Sequence, residues 1–199
     1  MIEIQRKEDC CGCNACGDVC SHGAIRFKTD IEGFWYPEVD AEKCTDCGLC
    51  EKVCPLISPN KNNVIRFEKP LVYAAYHKDN RIRIDSTSGG VFSALADKMF
   101  TMQGYVGGAV YNENHTVKHI VTNDRELLPQ IRSSKYLQSY TETLYSGIKN
   151  LLHKSEKVLV CAAPCQIAAL YNILGKDHLT LTMRHLTDFP KSFGQKVER

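Results

Sequence analysis

The sequence holds 199 residues, with 25 Lys plus Arg against 23 Asp plus Glu and 43% apolar side chains. That balance excludes a disordered chain, a collagen and a coiled coil, and no run approaches the roughly 18 to 20 apolar residues that span a bilayer. The start, MIEIQRKEDC, has neither the basic nor the apolar region of a signal peptide, so a cytoplasmic location is expected.

Nine of the eleven cysteines fall within the first 54 residues; the other two are Cys161 and Cys165. In a reducing compartment such concentration points to metal before disulfides. Charge divides along the same line. Residues 1–60 carry 6 basic and 11 acidic side chains, net −5, and the remainder carries 19 and 12, net +7. An acidic Cys-rich module thus precedes a basic body.

The first cysteine run is Cys10-x2-Cys13-x2-Cys16-x3-Cys20, and the second is Cys44-x2-Cys47-x2-Cys50-x3-Cys54, followed by Pro55. Two residues between successive thiolates let a tight turn wrap three ligands around three corners of a cubane, with its amides turned to the sulfurs. The fourth Cys points away and closes the opposite cluster. Cys10, Cys13, Cys16 and Cys54 are therefore assigned to one [4Fe-4S] cluster, and Cys44, Cys47, Cys50 and Cys20 to the other. This is the fingerprint of a bacterial two-cluster ferredoxin. Zinc also accepts four thiolates, but a zinc ribbon uses two separated C-x2-C pairs rather than three evenly spaced thiols plus a fourth. Ser21 stands where such ferredoxins usually have Pro, which loosens that turn without removing a ligand. Cys11 fits no ligand position and reads as a free, oxidation-sensitive thiol.

Between the runs, Ala24-Ile25-Arg26-Phe27 and Phe34-Trp35-Tyr36-Pro37 flank the polar stretch Asp30-Ile31-Glu32-Gly33, which predicts a hairpin whose apolar face covers the clusters. Val19, Ile25, Leu49 and Val53 are candidates for that lining, a role that coincides with plain core packing. Ser58 to Asn63 is polar and aperiodic and marks a boundary. The expected organisation is a two-cluster module over 1–60, a linker over 61–70, a partial α/β domain over 71–183 and an irregular tail over 184–199.

In the body, Leu71 to Tyr76 reads as a strand. Ser86-Thr87-Ser88-Gly89-Gly90 then leads into a helix with Val91, Phe92, Leu95, Met99 and Met102 inside and Ser93, Asp97, Lys98 and Thr101 outside. Such a turn offers backbone amides to an anion, with Arg81 and Arg83 upstream, although Ser-Gly-Gly also starts helices that hold no ligand. Gly104 to Tyr111 and Val117 to Val121 read as strands. Ser139 with Glu142 forms a capping box before an amphipathic helix carrying Leu144, Tyr145, Ile148, Leu151 and Leu152. Lys157 to Cys161 is a short strand, Pro164 opens a helix over Cys165 to Leu174, and Gly175 stops it. Cys165 lies in the first turn of that helix, where the dipole favours thiolate and hence ligation or redox chemistry; plain packing is the alternative. Cys161 reads as a small buried hydrophobe.

Ser86-Thr87-Ser88-Gly89-Gly90-Val91-Phe92, Ser134-Lys135-Tyr136-Leu137-Gln138-Ser139, and Val158-Leu159-Val160 running into Pro164-Cys165-Gln166-Ile167-Ala168-Ala169-Leu170 follow one another after the cysteine runs. In that order they resemble the family of coenzyme F420 hydrogenase/dehydrogenase beta subunits, from about residue 8 to 175. The resemblance implies a flavin-containing electron-transfer protein that binds FAD, some members using a deazaflavin as hydride partner. It further implies that Ser88, Gly89 and Gly90 hold a flavin phosphate, that Lys135, Tyr136 and Gln138 line the cofactor, and that Cys165 is a candidate ligand of a further cluster. Two departures stand out. Ala162-Ala163 replaces the family's Gly-Thr before Pro-Cys-Gln. The family also continues into a Cys-His-Gly element, where this chain reads Met183-Arg184-His185-Leu186-Thr187-Asp188-Phe189-Pro190, so a truncated or frameshifted product is expected.

The expected fold class is α+β: a two-cluster ferredoxin-like domain followed by an incomplete α/β flavin-type domain. The expected function is an oxidoreductase subunit passing electrons between a flavin and a redox partner protein or deazaflavin through two [4Fe-4S] clusters; no catalytic acid or base can be named. The alternative is a ferredoxin-like carrier whose second domain binds no flavin. A zinc-stabilised nucleic-acid binder would use the +7 of the body, but the chain lacks an aromatic and basic stripe, so neither a nucleic-acid partner nor a membrane span is expected.

Overall fold

The Asp30 carboxylate folds the first hairpin, its Oδ1 accepting from the Glu32 and Phe34 amides at 2.9 and 3.0 Å while Gly33 supplies a φ of +90°. Strands β1 (Ile25–Thr29) and β2 (Trp35–Val39) pair antiparallel, Ile25 opposite Val39 and Thr29 opposite Trp35. In this computed structural model, which describes residues 1–59 and 72–175 and the backbone of a strand at 181–184, two short helices belong to the cysteine runs, α1 (Ala15–Asp18) and α2 (Leu49–Val53). Ile25, Phe27 and Val39 pack with Ile2 and Ile4 around Cys16, Cys50 and Cys54. The hairpin therefore shields cysteines, as its alternation predicts. Val53 is buried and Val19 partly so, but Leu49 is 43% exposed, because it opens a single helical turn whose inner side Val53 fills.

The second sheet has the order β5-β4-β3-β6-β7. Helices α3 (Asn80–Ile84) and α4 (Val91–Thr101) precede β3 (Tyr105–Tyr111) and β4 (Val117–Thr122), an antiparallel pair with Tyr111 opposite Val117. Next come α5 (Leu128–Ile131), the two-residue β5 (Ser139–Tyr140), α6 (Leu144–His153), β6 (Val158–Ala162), α7 (Pro164–Leu174) and β7 (Leu181–Arg184). Pairs β3/β6, β4/β5 and β6/β7 are parallel. The strand period of two sorts β6 between two cores. Val158, Val160 and Ala162 join Tyr145, Ile148, Ile167 and Leu170 on one face, and Leu159 meets Ala96, Met99, Val106 and Ile131 on the other. The chain is thus a mixed α/β structure, and among the described residues no helix is long and apolar enough to cross a membrane.

Several local expectations give way to distant partners. Residues 72–76 form no strand; Leu71, the linker 61–70 and residues 185–199 of the tail lie outside the described residues. Arg184, expected to begin that tail, ends β7. Ser93 is buried rather than outward because its hydroxyl accepts from Arg132 Nε at 3.0 Å, while Met102 is exposed past the end of α4. The Ser139/Glu142 box does not form: Ser139 lies in β5, where Oγ accepts from Gln166 Nε2 at 3.1 Å, and Glu142 takes a φ of +40°. The cap of α6 comes from Asp18, whose carboxylate accepts from Tyr145 N at 2.8 Å and Ser146 N at 3.3 Å. An anionic acceptor at a helix start answers both the open amides and the dipole. Replacing it in Asp18→Ala should cost about 1–2 kcal/mol, read as a lower melting temperature of the iron-loaded protein; an unchanged melting temperature would show that water caps α6 equally well.

Candidate metal centres and cofactor cavity

In the first cysteine loop backbone amides turn to sulfur: Gly12 N–H toward Cys10, Ala15 N–H toward Cys13 and Gly17 N–H toward Cys16. Burial raises the Cys10 pKa and, with Cys10 and Cys54 close by, pushes Cys16 up to about 12. A lone thiolate is thus disfavoured there, whereas iron would neutralise its charge and displace the protons. Asn14, in the left-handed region at φ +58°, is buried with neither amide atom partnered among the described residues, as suits a loop meant to face a sulfide-bearing group. Cys20, Cys44, Cys47 and Cys50 line one small cavity walled by Ile2, Ala24, Ile25, Val39 and Leu49. An all-thiol donor set, apolar walls and inward amides fit iron–sulfur clusters.

Cys10, Cys16 and Cys54 approach one another, while the Cys13 sulfur meets Cys11. Cys11 accepts from the Cys13 and Cys165 thiols, which lowers its pKa and raises both of theirs. Cys165 occupies the first turn of α7 as expected, yet its thiol is raised: the Cys11 contact and burial outweigh the dipole. Burial likewise raises Cys161.

The loop is held from the second part of the molecule. The Tyr145 hydroxyl donates to the Cys13 carbonyl at 2.6 Å, and Thr141 Oγ1 lies 3.4 Å from the same oxygen. Gln138 brackets Trp35, accepting from its amide at 2.8 Å and donating to its carbonyl at 3.1 Å. The Trp35 ring stacks on Tyr140 at 3.6 Å. Gly12, at φ +63°, is required where it stands, because a Cβ would collide with the Gln138 amide.

Between these parts opens a cavity of about 870 Å³. Its lining joins Cys10, Cys11, Gly12, Phe34 and Tyr36 to Ser88–Ser93, Ser134–Ser139, Cys161 and Cys165. Ser88, Gly89 and Gly90 stand at the start of α4, with Gly90 its N-cap at φ +74°. Gly89 has a packing reason of its own, since a Cβ there would stand 2.7 Å from the Ala75 carbonyl. Lys135 lines the cavity while its ammonium donates to the carbonyls of Gln130, Ile131, Arg132 and Ser133 at 2.6–3.1 Å; burial lowers its pKa to about 8. Tyr136 is exposed at the rim, and Arg81 and Arg83 lie outside the lining. Sequence reasoning missed Asp18, Ser93, His119, Arg132 and Tyr145 as site-forming residues. Each acts through a partner distant in the chain or through burial, which local patterns do not carry.

Residues 9–56 match the 4Fe-4S dicluster domain family. The chain is 25% identical over 180 residues to one subunit of the F(420)H(2) dehydrogenase of Methanosarcina mazei, covering 85% of this chain and 49% of that protein. It is 29% identical over 172 residues to the coenzyme F420-dependent sulfite reductase of Methanocaldococcus jannaschii, covering 85% and 26%. Its cysteine-rich part is 44% identical over 46 residues to one subunit of the ion-translocating oxidoreductase complex of Methanosarcina acetivorans, covering 23% and 16%. The chain spans about half the length of the first of these relatives and about a quarter of the second. The resemblance read from the motifs therefore holds across both parts of the chain, and the N-terminal part is a ferredoxin-type iron–sulfur domain.

His119 gives the cavity wall a titration of its own. Its Nδ1 is buried with no partner among the described residues, and burial, with Lys135 adding repulsion, lowers its pKa to about 4. Since the folded value lies below the ordinary 6.5, folding favours neutral imidazole; that stability is complete above pH 6.5 and is lost as pH falls toward 4. Melting temperatures at pH 7 and pH 5 should therefore differ less in His119→Gln than in the unsubstituted protein, and equal differences would show that His119 takes up its proton without cost.

Proposed function

We propose that this chain, whose residues 9–56 match the 4Fe-4S dicluster domain family, passes electrons between a flavin in the cavity and a redox partner through two [4Fe-4S] clusters. The ligand sets are Cys10, Cys13, Cys16 and Cys54 for one, and Cys44, Cys47, Cys50 and Cys20 for the other. The observation that carries the reading is that the first cysteine loop is itself a wall of the cavity: Cys10, Cys11 and Gly12 face the same space as Ser88–Gly90 and residues 134–138. A group bound there would touch the first cluster's loop without an intervening layer of protein.

The cavity suits an extended planar cofactor such as FAD. Its volume of about 870 Å³ lies in the range of cofactor sites, and its walls combine aromatic rings with a few polar groups. The open amides at the start of the 11-residue α4 favour a phosphate, supported by Arg132, which Ser93 and Asp85 orient. Phe34, Tyr36 and Tyr136 offer ring surfaces. When bound, a flavin supplies the exchange between one-electron and two-electron steps. The protein's part is to seat it, to keep water from the sulfurs with Ile25, Phe27 and Val39, and to fix the distance to the first loop through Tyr145 and Gln138. That two relatives are named for coenzyme F420 favours a deazaflavin as the hydride partner, and the naming of one of these and of a third relative as subunits favours a protein as the one-electron partner. The working units are a two-cluster module over 1–60, a linker over 61–70 and a flavin-type unit over 71–183.

Anaerobic purification with iron, acid-labile sulfide and extractable flavin measured on one sample tests this. About eight iron, eight sulfide and one flavin per chain are expected. The same iron without flavin would leave a ferredoxin-like electron carrier, and iron without sulfide would overturn the cluster assignment.

A further inference from the structure

The cavity wall carries two thiols outside both proposed ligand sets. Cys11 is exposed in the loop between Cys10 and Cys13, and Cys165 sits in the first turn of α7. The Cys165 thiol lies 3.8 Å from the Cys11 carbonyl oxygen and within hydrogen-bonding reach of the Cys11 sulfur, although 154 residues separate them. Each is held by its own framework. Cys165 follows Pro164 at the start of an 11-residue helix packed into the core, and the Cys11 loop is pinned through the Cys13 carbonyl by Tyr145. The third sulfur of the group, Cys13, belongs to the first cluster in the function proposed above. With Cys13 committed, two neighbouring thiols remain among the described residues, the number a disulfide uses. Cys161 also lines the cavity, but the charge facing it is Lys135 and not Cys11.

We propose that Cys11 and Cys165 form a reversible dithiol–disulfide couple joining the iron–sulfur module to the cavity. On oxidation both S–H bonds break, one S–S bond forms, and two electrons and two protons leave to a two-electron acceptor. In the protein's own setting that acceptor is a flavin in the cavity; this step, like the assignment of Cys13 to the first cluster, rests on the function proposed above. The oxidised pair ties the first cysteine loop covalently to α7; the reduced pair leaves it held by hydrogen bonds. The couple thus adds a two-electron store beside the one-electron clusters.

The test oxidises anaerobically prepared, iron-loaded protein with a small excess of diamide, whose N=N bond takes up the two electrons and two protons to become the hydrazine. Remaining thiols are alkylated and the protein is digested with trypsin. Residues 8–26, which contain Cys11 with four other cysteines, should become linked to residues 158–176, which contain Cys161 and Cys165. The link should be lost in Cys11→Ser, at an exposed position, and in Cys165→Ser, and kept in Cys161→Ser, with about eight iron per chain throughout. No linked peptide would overturn the couple, as would a link that survives in Cys11→Ser or forms only as iron is lost. About twelve iron per chain, falling to about eight in Cys165→Ser, would overturn it differently, by making Cys165 a ligand of a third cluster. A link formed in protein that holds no flavin would leave the couple standing while the flavin reading fails.

Discussion

The hydrogen bond from the Tyr145 hydroxyl to the Cys13 carbonyl, 2.6 Å long and out of water, joins two folding problems that neither part solves alone. A loop that bends its amides toward sulfur cannot pair its carbonyls in a ladder, and buried backbone groups need partners. The body supplies them, with Tyr145 and Thr141 on Cys13, Gln138 on both sides of Trp35, and Asn172 Nδ2 on the carbonyls of Val53 and Ser58 at 3.2 and 3.0 Å. In return Asp18 of the module caps α6, the helix that carries Tyr145. Losing one partner would strand a buried polar group on the other, so the contacts reinforce one another.

This mutual dependence sets the chemistry of both sites. The body holds the first cysteine loop against the cavity while the hairpin closes the opposite side of the sulfurs. Cys16, pushed up to about 12, shows how far burial opposes a bare thiolate there. Binding iron reverses the sign of that effect, because the metal supplies the compensating charge. The dryness that opposes ionisation of a bare thiol is the same dryness that sets a cluster's potential when the loop is loaded.

Much of this was legible in the sequence, and for identifiable reasons. The hairpin around Asp30, the strands β3, β4 and β6, and the helices α4, α6 and α7 follow from short-range period and punctuation, and the cysteine spacing alone led to the iron–sulfur domain. What escaped depends on partners far along the chain. Ser93 looks solvent-facing because nothing near it announces Arg132, 39 residues on. Ser139 and Glu142 have the spacing of a capping box, but Gln166 draws Ser139 into β5 and Asp18 takes the cap. Leu49 does line the cavity of Cys20, Cys44, Cys47 and Cys50, but it stays 43% exposed because the inner side of a one-turn helix is taken by Val53.

The motif residues around the cavity show why local resemblance and physical role need separate accounts. Lys135 looks like a cationic cofactor ligand, but its ammonium closes the carbonyls at the end of α5. Gln138 looks like a polar lining residue, and its amide joins two parts of the chain through Trp35. Gly89 looks like a phosphate-loop glycine, and a Cβ there would already meet the Ala75 carbonyl. All three line the cavity and also fix backbone. The Arg132 guanidinium is likewise engaged, donating to Ser93 and lying 3.6 Å from Asp85. The amides that begin α4 add backbone donors beside that guanidinium, so an anion there would be recognised through backbone geometry together with Arg132.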